Sequence, residues 1–243
     1  MFSNIRLITF DAFNTLIKVN GPVEGAYMKA AKHLFPCETN LFAGGAEKQL
    51  GKSFRTSYQH YYNKYPNFGH GNVAPTKWWH LVISSSFRDS NLLAEEKKLQ
   101  QLSDYLYEDF TASHHWSVFD DVAEVLEALA KRGIKLAVLS NFDERLPTIL
   151  RAMDLYDCFD TVVCSGVCGV AKPDPAMFEL VLSRYGVDAA QCLHVGDDLQ
   201  LDYRASRAVG MNAVLVDRSD RYVDDFREEH FRVKSLDAIL RLI

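Results

Sequence analysis

Lys135-Leu136-Ala137-Val138-Leu139-Ser140-Asn141 is an apolar, strand-like run that ends in a hydroxyl, and from Ile134 onward such runs alternate with helix-like ones. The further strand-like runs are Asp160 to Cys164, Cys192 to Val195 and Ala213 to Val216. Around them apolar residues recur at helical spacing: Val122, Val125, Leu126 and Leu129 before Gly133, and Phe178, Val181, Leu182 and Tyr185 before Gly186. This alternation predicts βαβ units and a parallel sheet, hence a Rossmann-like α/β core. Ser235 reads as the N-cap of a last helix carrying Leu236, Ile239 and Leu240. Another strand, Arg6 to Phe10, stands far upstream of the rest, so the intervening chain is an insertion.

Between Lys18 and His115 strand signals are few. Ala26, Ala30, Leu34, Leu50, Phe54, Leu99, Leu102, Tyr105 and Leu106 predict amphipathic helices there. The expected organisation is therefore a core of residues 1–16 and 116–243 with a helical cap at 17–115. The cap holds many rings, among them Tyr58, Tyr61, Tyr62, Tyr65, Phe68, Trp78, Trp79 and Phe87. They read first as the cap's own small core, and second as the lining of a pocket facing Asp11. The run Asn67-Phe68-Gly69-His70-Gly71-Asn72 is the nominated substrate-facing loop, with an ordinary helix connection as the alternative.

Composition narrows the classes. The chain has 243 residues, 48% hydrophobic and 24% charged, enough for a large core. A net charge of -5 without a long Lys/Arg run argues against nucleic acid as a partner. No apolar stretch approaches the ~20 residues of a membrane span, and with a candidate catalytic residue at position 11 there is no room for a cleaved leader. Cys37, Cys158, Cys164, Cys168 and Cys192 form no C-x-x-C and read as reduced thiols. A cytoplasmic monomer acting on a small molecule is the expectation.

Four segments carry the chemistry. Ile8-Thr9-Phe10-Asp11-Ala12-Phe13-Asn14-Thr15-Leu16 ends an apolar run at a carboxylate, and the Lys135 to Asn141 run ends at Ser140. The others are Gly169-Val170-Ala171-Lys172-Pro173 and Leu193-His194-Val195-Gly196-Asp197-Asp198. In open parallel sheets ligands bind beyond the carboxyl ends of strands, where Asp11, Ser140 and Asp197 fall. Asp11, Asp197, Asp198 and Asp202 then crowd against a single Lys172. Uncompensated, that crowding would neutralise a carboxylate, whereas a hard divalent cation removes the conflict; Mg²⁺ is the expected cofactor.

In order and spacing the four segments resemble the haloacid dehalogenase superfamily of hydrolases, most specifically at Gly196-Asp197-Asp198-Leu199-Gln200-Leu201-Asp202 with Ala205, Ala208 and Gly210-Met211. Tyr65-Pro66-Asn67-Phe68-Gly69, Trp78-Trp79 and Leu139-Ser140-Asn141-Phe142-Asp143 resemble in particular the animal rhythmically expressed gene 2-like subgroup. The resemblance implies that Asp11 is nucleophile and metal ligand, with the Phe13 carbonyl and Asp197 completing the protein's ligands. It implies that Ser140 and the Asn141 amide hold the phosphoryl oxygens and that Lys172 neutralises charge. Thr15, Asp198 and Asp202 would support that shell, Asp202 as a partner of Lys172. The implied reaction is phosphate-ester hydrolysis through an aspartyl-phosphate on Asp11.

One position departs from the pattern. The family's phosphatases carry an acid two residues after the nucleophile, and here that residue is Phe13, which cannot carry a proton. Loss of a general acid costs ~10²–10⁴ in rate, most for alkyl and least for acyl or aryl leaving groups. Asn14 replaces the usual glycine and tolerates positive φ. An aromatic at position 13 resembles the 2-haloacid dehalogenases, so halide displacement by Asp11 is one alternative, although the chain offers no convincing arginine for the haloacid carboxylate in the segment after Phe13. A catalytically weak binding module is another. His194 reads as a strand residue facing a neighbouring layer, His114-His115 as a solvated hinge, and Asp143-Glu144-Arg145 as a helix-start charge cluster, with Arg145 reaching a substrate anion as the alternative.

Overall fold

The computed structural model describes residues 2–224 and 231–243. Its centre is a six-stranded sheet in which every neighbouring pair is parallel, in the order β5-β4-β1-β6-β7-β8. The strands are β1 (Leu7–Phe10), β4 (Lys135–Ser140), β5 (Thr161–Cys164), β6 (Cys192–Gly196), β7 (Asn212–Val216) and β8 (Arg232–Val233). A small antiparallel ribbon, β2 (Ile17–Val19) with β3 (Trp116–Val118), pairs the chain on its way out of the sheet with the chain on its return.

Alternation along the strands builds two hydrophobic layers. Ile8, Phe10, Leu136, Val138, Leu193 and Val195 pack on one face with α5 (Val122–Lys131) and α6 (Leu146–Ala152). Leu7, Ala137, Leu139 and Cys192 pack on the other with Met177, Phe178 and Val181. That second layer follows α7 (Ser165–Cys168) and is built on α8 (Pro175–Tyr185), backed by Ala205 of α9 (Ala205–Ala208). α8 has its ends written in sequence: the Asp174 carboxylate accepts from the Ala176 amide, Pro175 opens the helix, and Gly186 closes it at φ 58°.

Strand order turns at β1. β4 and β5 lie to one side of it and β6, β7 and β8 to the other, which makes the carboxyl end of β1 the switch point where such sheets bind ligands.

Between β2 and β3 run α1 (Val23–Leu34), α2 (Ala46–Lys64), α3 (Pro75–Asp89) and α4 (Glu96–Asp109). Phe68, Trp78 and Val82 form a buried cluster there, and the Trp78 indole donates to the Tyr65 carbonyl at 2.9 Å. The C-terminal segment differs from expectation. Leu236–Arg241 is a 3-10 helix, and the Ser235 hydroxyl donates to the Asp237 carboxylate instead of capping it.

No helix among the described residues is long and apolar enough to cross a membrane. All five cysteines are free.

Candidate active site

Asp11 is the first residue past β1, and its amide donates to the Val195 carbonyl at 2.8 Å. Its side chain is buried, and Oδ1 accepts from the Ser140 hydroxyl at 3.0 Å and from Lys172 Nζ at 2.7 Å. Oδ2 stands outside that clamp. Lys172 comes from the loop before α8, and its position is fixed through its main chain. The Lys172 amide donates to Asn141 Oδ1 and the Asn141 side-chain amide donates to the Lys172 carbonyl, both at 2.8 Å. The end of β4 and the lysine loop are thereby locked together.

Asp202 is the second partner of Lys172, at 2.6 Å. It lies in an irregular helical turn, Leu199–Arg204, whose N-cap is Asp198; the Asp198 carboxylate accepts from the amides of Gln200 and Leu201 at 2.8 and 2.9 Å. Asp202 Oδ2 accepts from the Asp198 amide at 2.9 Å. Gly196 makes room for this: a Cβ there would sit 2.2 Å from Asp202 Cγ, so only glycine fits.

His194 completes the network. It projects from β6 on the face of Leu7 and Phe178, with Nδ1 2.8 Å from Thr9 Oγ1 and Nε2 3.2 Å from Asp202 Oδ1. Burial lowers its pKa, so the ring is neutral. A neutral ring with its proton on Nε2 matches both neighbours, donating to an ionised Asp202 and accepting from Thr9 at Nδ1.

Charges in this buried cluster are set by their neighbours. Burial alone would depress the Lys172 ammonium, but Asp11 and Asp202 outweigh it and raise it. Burial alone would raise Asp202, yet Lys172 and then His194 hold it well below the usual carboxylate range. Asp11 is raised by burial and by Asp202 against the pull of Lys172 and Ser140. Asp197, just past β6, is pushed up to about 7 by burial and by Asp11 and Asp202. Arg221 Nη2 lies 2.9 Å from Asp197 Oδ2 and only partly compensates.

Asp11, Asp197 and Asp202 offer carboxylate oxygens that all lie within 4.8 Å of one another. Both Asp202 oxygens are already engaged, which leaves Asp11 and Asp197 as available ligands. Two hard oxygen donors, one of them held partly protonated for want of positive charge, fit a divalent metal ion.

The structure thus brings Asp11, Ser140, Asn141, Lys172, Asp197, Asp198 and Asp202 to one end of the sheet. Thr15 is fully buried nearby in sequence, with its hydroxyl unpaired among the described residues. Asn14 adopts φ 60°. The Phe13 ring is 40% exposed and stands edge-on to Trp116.

A cavity of about 350 Å³ is shared by the insertion and the core, with Phe13 and Asn141, neighbours in sequence of Asp11 and Ser140, in its wall. Phe68 lines it, and its loop docks on the core: Asn67 Nδ2 donates to the Gly169 carbonyl at 2.6 Å and His70 Nδ1 lies 3.1 Å from the Gly166 carbonyl. Arg145 is no free anion receptor. It donates through Nε and Nη2 to Asp143 at 3.0 and 2.6 Å and through Nη1 to the Tyr107 carbonyl.

Two members of the network were not legible as such. His194 carries its signal in strand alternation, which puts it on the face of Leu7 and α8, but only the fold shows Asp202 returning to it. Arg221 lies in a polar run past β7 with no motif. His114 and His115 pair instead with Asp109 at the end of α4, at 3.7 and 2.6 Å.

The sequence profile of the haloacid dehalogenase-like hydrolases matches residues 5–210, and the chain belongs to that family. It is 36% identical over 218 residues to the mouse haloacid dehalogenase-like hydrolase domain-containing protein 3, covering 89% of this chain and 83% of that protein. Among solved structures, a 2-haloacid dehalogenase from Pseudomonas syringae pv. Tomato is similar at 26% identity and a TM-score of 0.67, over 98% of this chain and 100% of that one. A phosphatase of the same superfamily from Thermococcus onnurineus shares the fold at 19% identity and a TM-score of 0.58, over 98% of this chain and 97% of the other.

Proposed function

We propose that this hydrolase is a Mg²⁺-dependent phosphatase of a small phosphorylated metabolite, working through an aspartyl-phosphate on Asp11. The observation that carries the reading is the clamp on Asp11: Ser140 and Lys172 hold Oδ1, and Oδ2 is left to attack. Attack on phosphorus forms the Oδ2–P bond as the ester P–O bond breaks, and the leaving oxygen keeps the electron pair. Water then attacks phosphorus, the acyl phosphate releases inorganic phosphate, and the Asp11 carboxylate returns.

The Asn141 backbone amide holds the non-bridging oxygens, joined by Ser140 when its hydroxyl turns from Asp11 to the bound phosphoryl group, and Lys172, kept charged by Asp11 and Asp202, offsets the negative charge that gathers at the site. Asp11, the Phe13 carbonyl and Asp197 would hold Mg²⁺, which supplies charge stabilisation for the phosphoryl oxygens when bound. Asp202 supports Lys172 from behind and the Asp198 amide holds Asp202, whereas the Thr15 hydroxyl makes no hydrogen bond among the described residues. Phe13 gives the leaving group no proton, so turnover favours groups that depart as stable anions. Five free cysteines support action in a reducing compartment, which we take to be the cytoplasm.

Halide displacement from a 2-haloacid is the second reading, favoured by the dehalogenase neighbour and by the aromatic Phe13. Against it stands the commitment of Arg145 to Asp143, which leaves the cavity without a free cation among its described residues. Assays with p-nitrophenyl phosphate and acetyl phosphate, with Mg²⁺ or EDTA, beside the Asp11→Asn variant, test the proposal. Mg²⁺-dependent phosphate release that vanishes in the variant is expected. Metal-independent chloride release from 2-chloropropionate in its place would overturn it.

A further inference from the structure

We infer that the leaving group of the substrate is an uncharged aromatic ring, held in the cavity between the insertion and the core. The inference rests on the phosphatase reading and narrows it to aryl, or similarly planar, phosphate esters.

Three observations converge. First, the wall is made of rings: Phe13, Tyr58, Phe68, Trp79, Phe110 and Trp116 all face the cavity. Several already stand in the edge-on arrangements that aromatic groups adopt with one another, Phe13 against Trp116 at 6.4 Å and Tyr58 against Trp78 at 5.4 Å. The cavity's volume of about 350 Å³ lies at the small end of ligand sites, which suits one or two fused rings.

Second, the charges in the wall cancel. Asp143 is fully buried, and it accepts from the Trp79 indole at 2.7 Å as well as from Arg145. The Arg145 guanidinium lies between the Trp79 and Tyr107 rings, 4.9 and 4.4 Å from their centres. Its Nε, Nη1 and Nη2 each donate within the wall and its charge is matched by Asp143, so a leaving group with a charged substituent on its ring would be desolvated here without a matching partner.

Third, the wall includes Phe13 and Asn141, which follow the nucleophile and the phosphoryl-holding serine in sequence. A group in the cavity therefore touches the residues that flank the nucleophile and the serine, and there the chain presents a phenyl ring where an acid would otherwise protonate the departing oxygen. An aryl oxide needs no such proton. The same residue that forfeits alkyl esters thus forms part of the wall against which a ring packs.

The test separates the ring pocket from the chemistry. Binding of phenylphosphonate and methylphosphonate to the Mg²⁺-loaded protein is measured by calorimetry. Alongside it, kcat/KM is measured for phenyl phosphate and for a fluorinated alkyl phosphate of matched leaving-group acidity. A preference for the phenyl compound on the order of tenfold or more is expected in both series, from burial of the ring against aromatic walls. Val23→Trp, which fills the cavity from α1 without deleting a core side chain, should bring both ratios toward one. Trp79→Phe, which keeps a ring, should retain most of the preference. Failure of every phosphate to turn over while phenylphosphonate keeps its advantage would remove the phosphatase reading and leave the ring site standing. Equal binding of the two phosphonates, or a preference that Val23→Trp does not touch, would overturn the ring site itself.

Discussion

At position 13 a single side chain separates a nucleophilic site from an acid-assisted one. Under the proposed reaction Phe13→Asp restores a carboxyl two residues past the nucleophile, and turnover of alkyl phosphates should rise by ~10²–10⁴, with a much smaller change for acyl phosphates. Steady-state rates for one ester of each kind read this directly; an unchanged alkyl rate would mean that proton transfer does not limit the enzyme. Gly196 is the opposite kind of residue, one that cannot change. Its added Cβ in Gly196→Ala would lie 2.2 Å from Asp202 Cγ, forcing apart the Asp202–Lys172 pair. The expected result is a loss of about 1–3 kcal/mol in urea unfolding, from overpacking, together with loss of phosphate release.

At the scale of elements, the loop around Phe68 and the loop before Lys172 form one contact. Gly169 sits at φ 77°, and a Cβ there would meet the His70 ring at 2.7 Å. Gly169→Ala should therefore push the insertion's loop off the core and raise KM for a bulky ester more than it lowers kcat. Steady-state kinetics on phenyl phosphate checks this, and an unaltered KM would show that the loop contact is incidental to binding.

Much of this arrangement was legible because strands and helices announce themselves locally. The runs ending at Phe10, Ser140 and Val195 announced the sheet, and the four segments nominated Asp11, Ser140, Lys172 and Asp197, which the fold brings to one end of it. Contacts made across the fold had no local sign. The return of Asp202 to His194, the reach of Arg221 to Asp197 and the burial of Arg145 against Asp143 all depend on distant loops meeting. The 3-10 character of Leu236–Arg241 escaped because apolar spacing alone does not separate it from an α-helix.

For the whole molecule, the carboxylate cluster ties stability to pH and to metal. Asp197 has a folded pKa of about 7 against an ordinary value of 3.8, so between those values the folded state binds the extra proton. In EDTA its contribution to stability falls as pH rises through that window and levels off above about 7. Neutral His194 acts in the opposite sense below its ordinary value of 6.5, which is why the comparison is drawn between the parent and Asp197→Asn. The increase in Tm produced by Mg²⁺ should be larger at pH 8 than at pH 6 in the parent, since the cation needs the ionised carboxylate. Asp197→Asn should flatten that difference. A Mg²⁺ shift independent of pH in the parent would mean that Asp197 does not hold the metal.

The paired hydrogen bonds between the Asn141 side chain and the Lys172 main chain have a thermodynamic consequence. They weld the oxyanion-holding half of the site into the sheet, while the ring-holding half belongs largely to the helical insertion. Val23, the first residue of α1, belongs to the ring-holding half alone, so a change there leaves the oxyanion-holding groups in place. Orthovanadate, an oxyanion without a ring, should therefore bind the Val23→Trp variant and the parent with the same affinity.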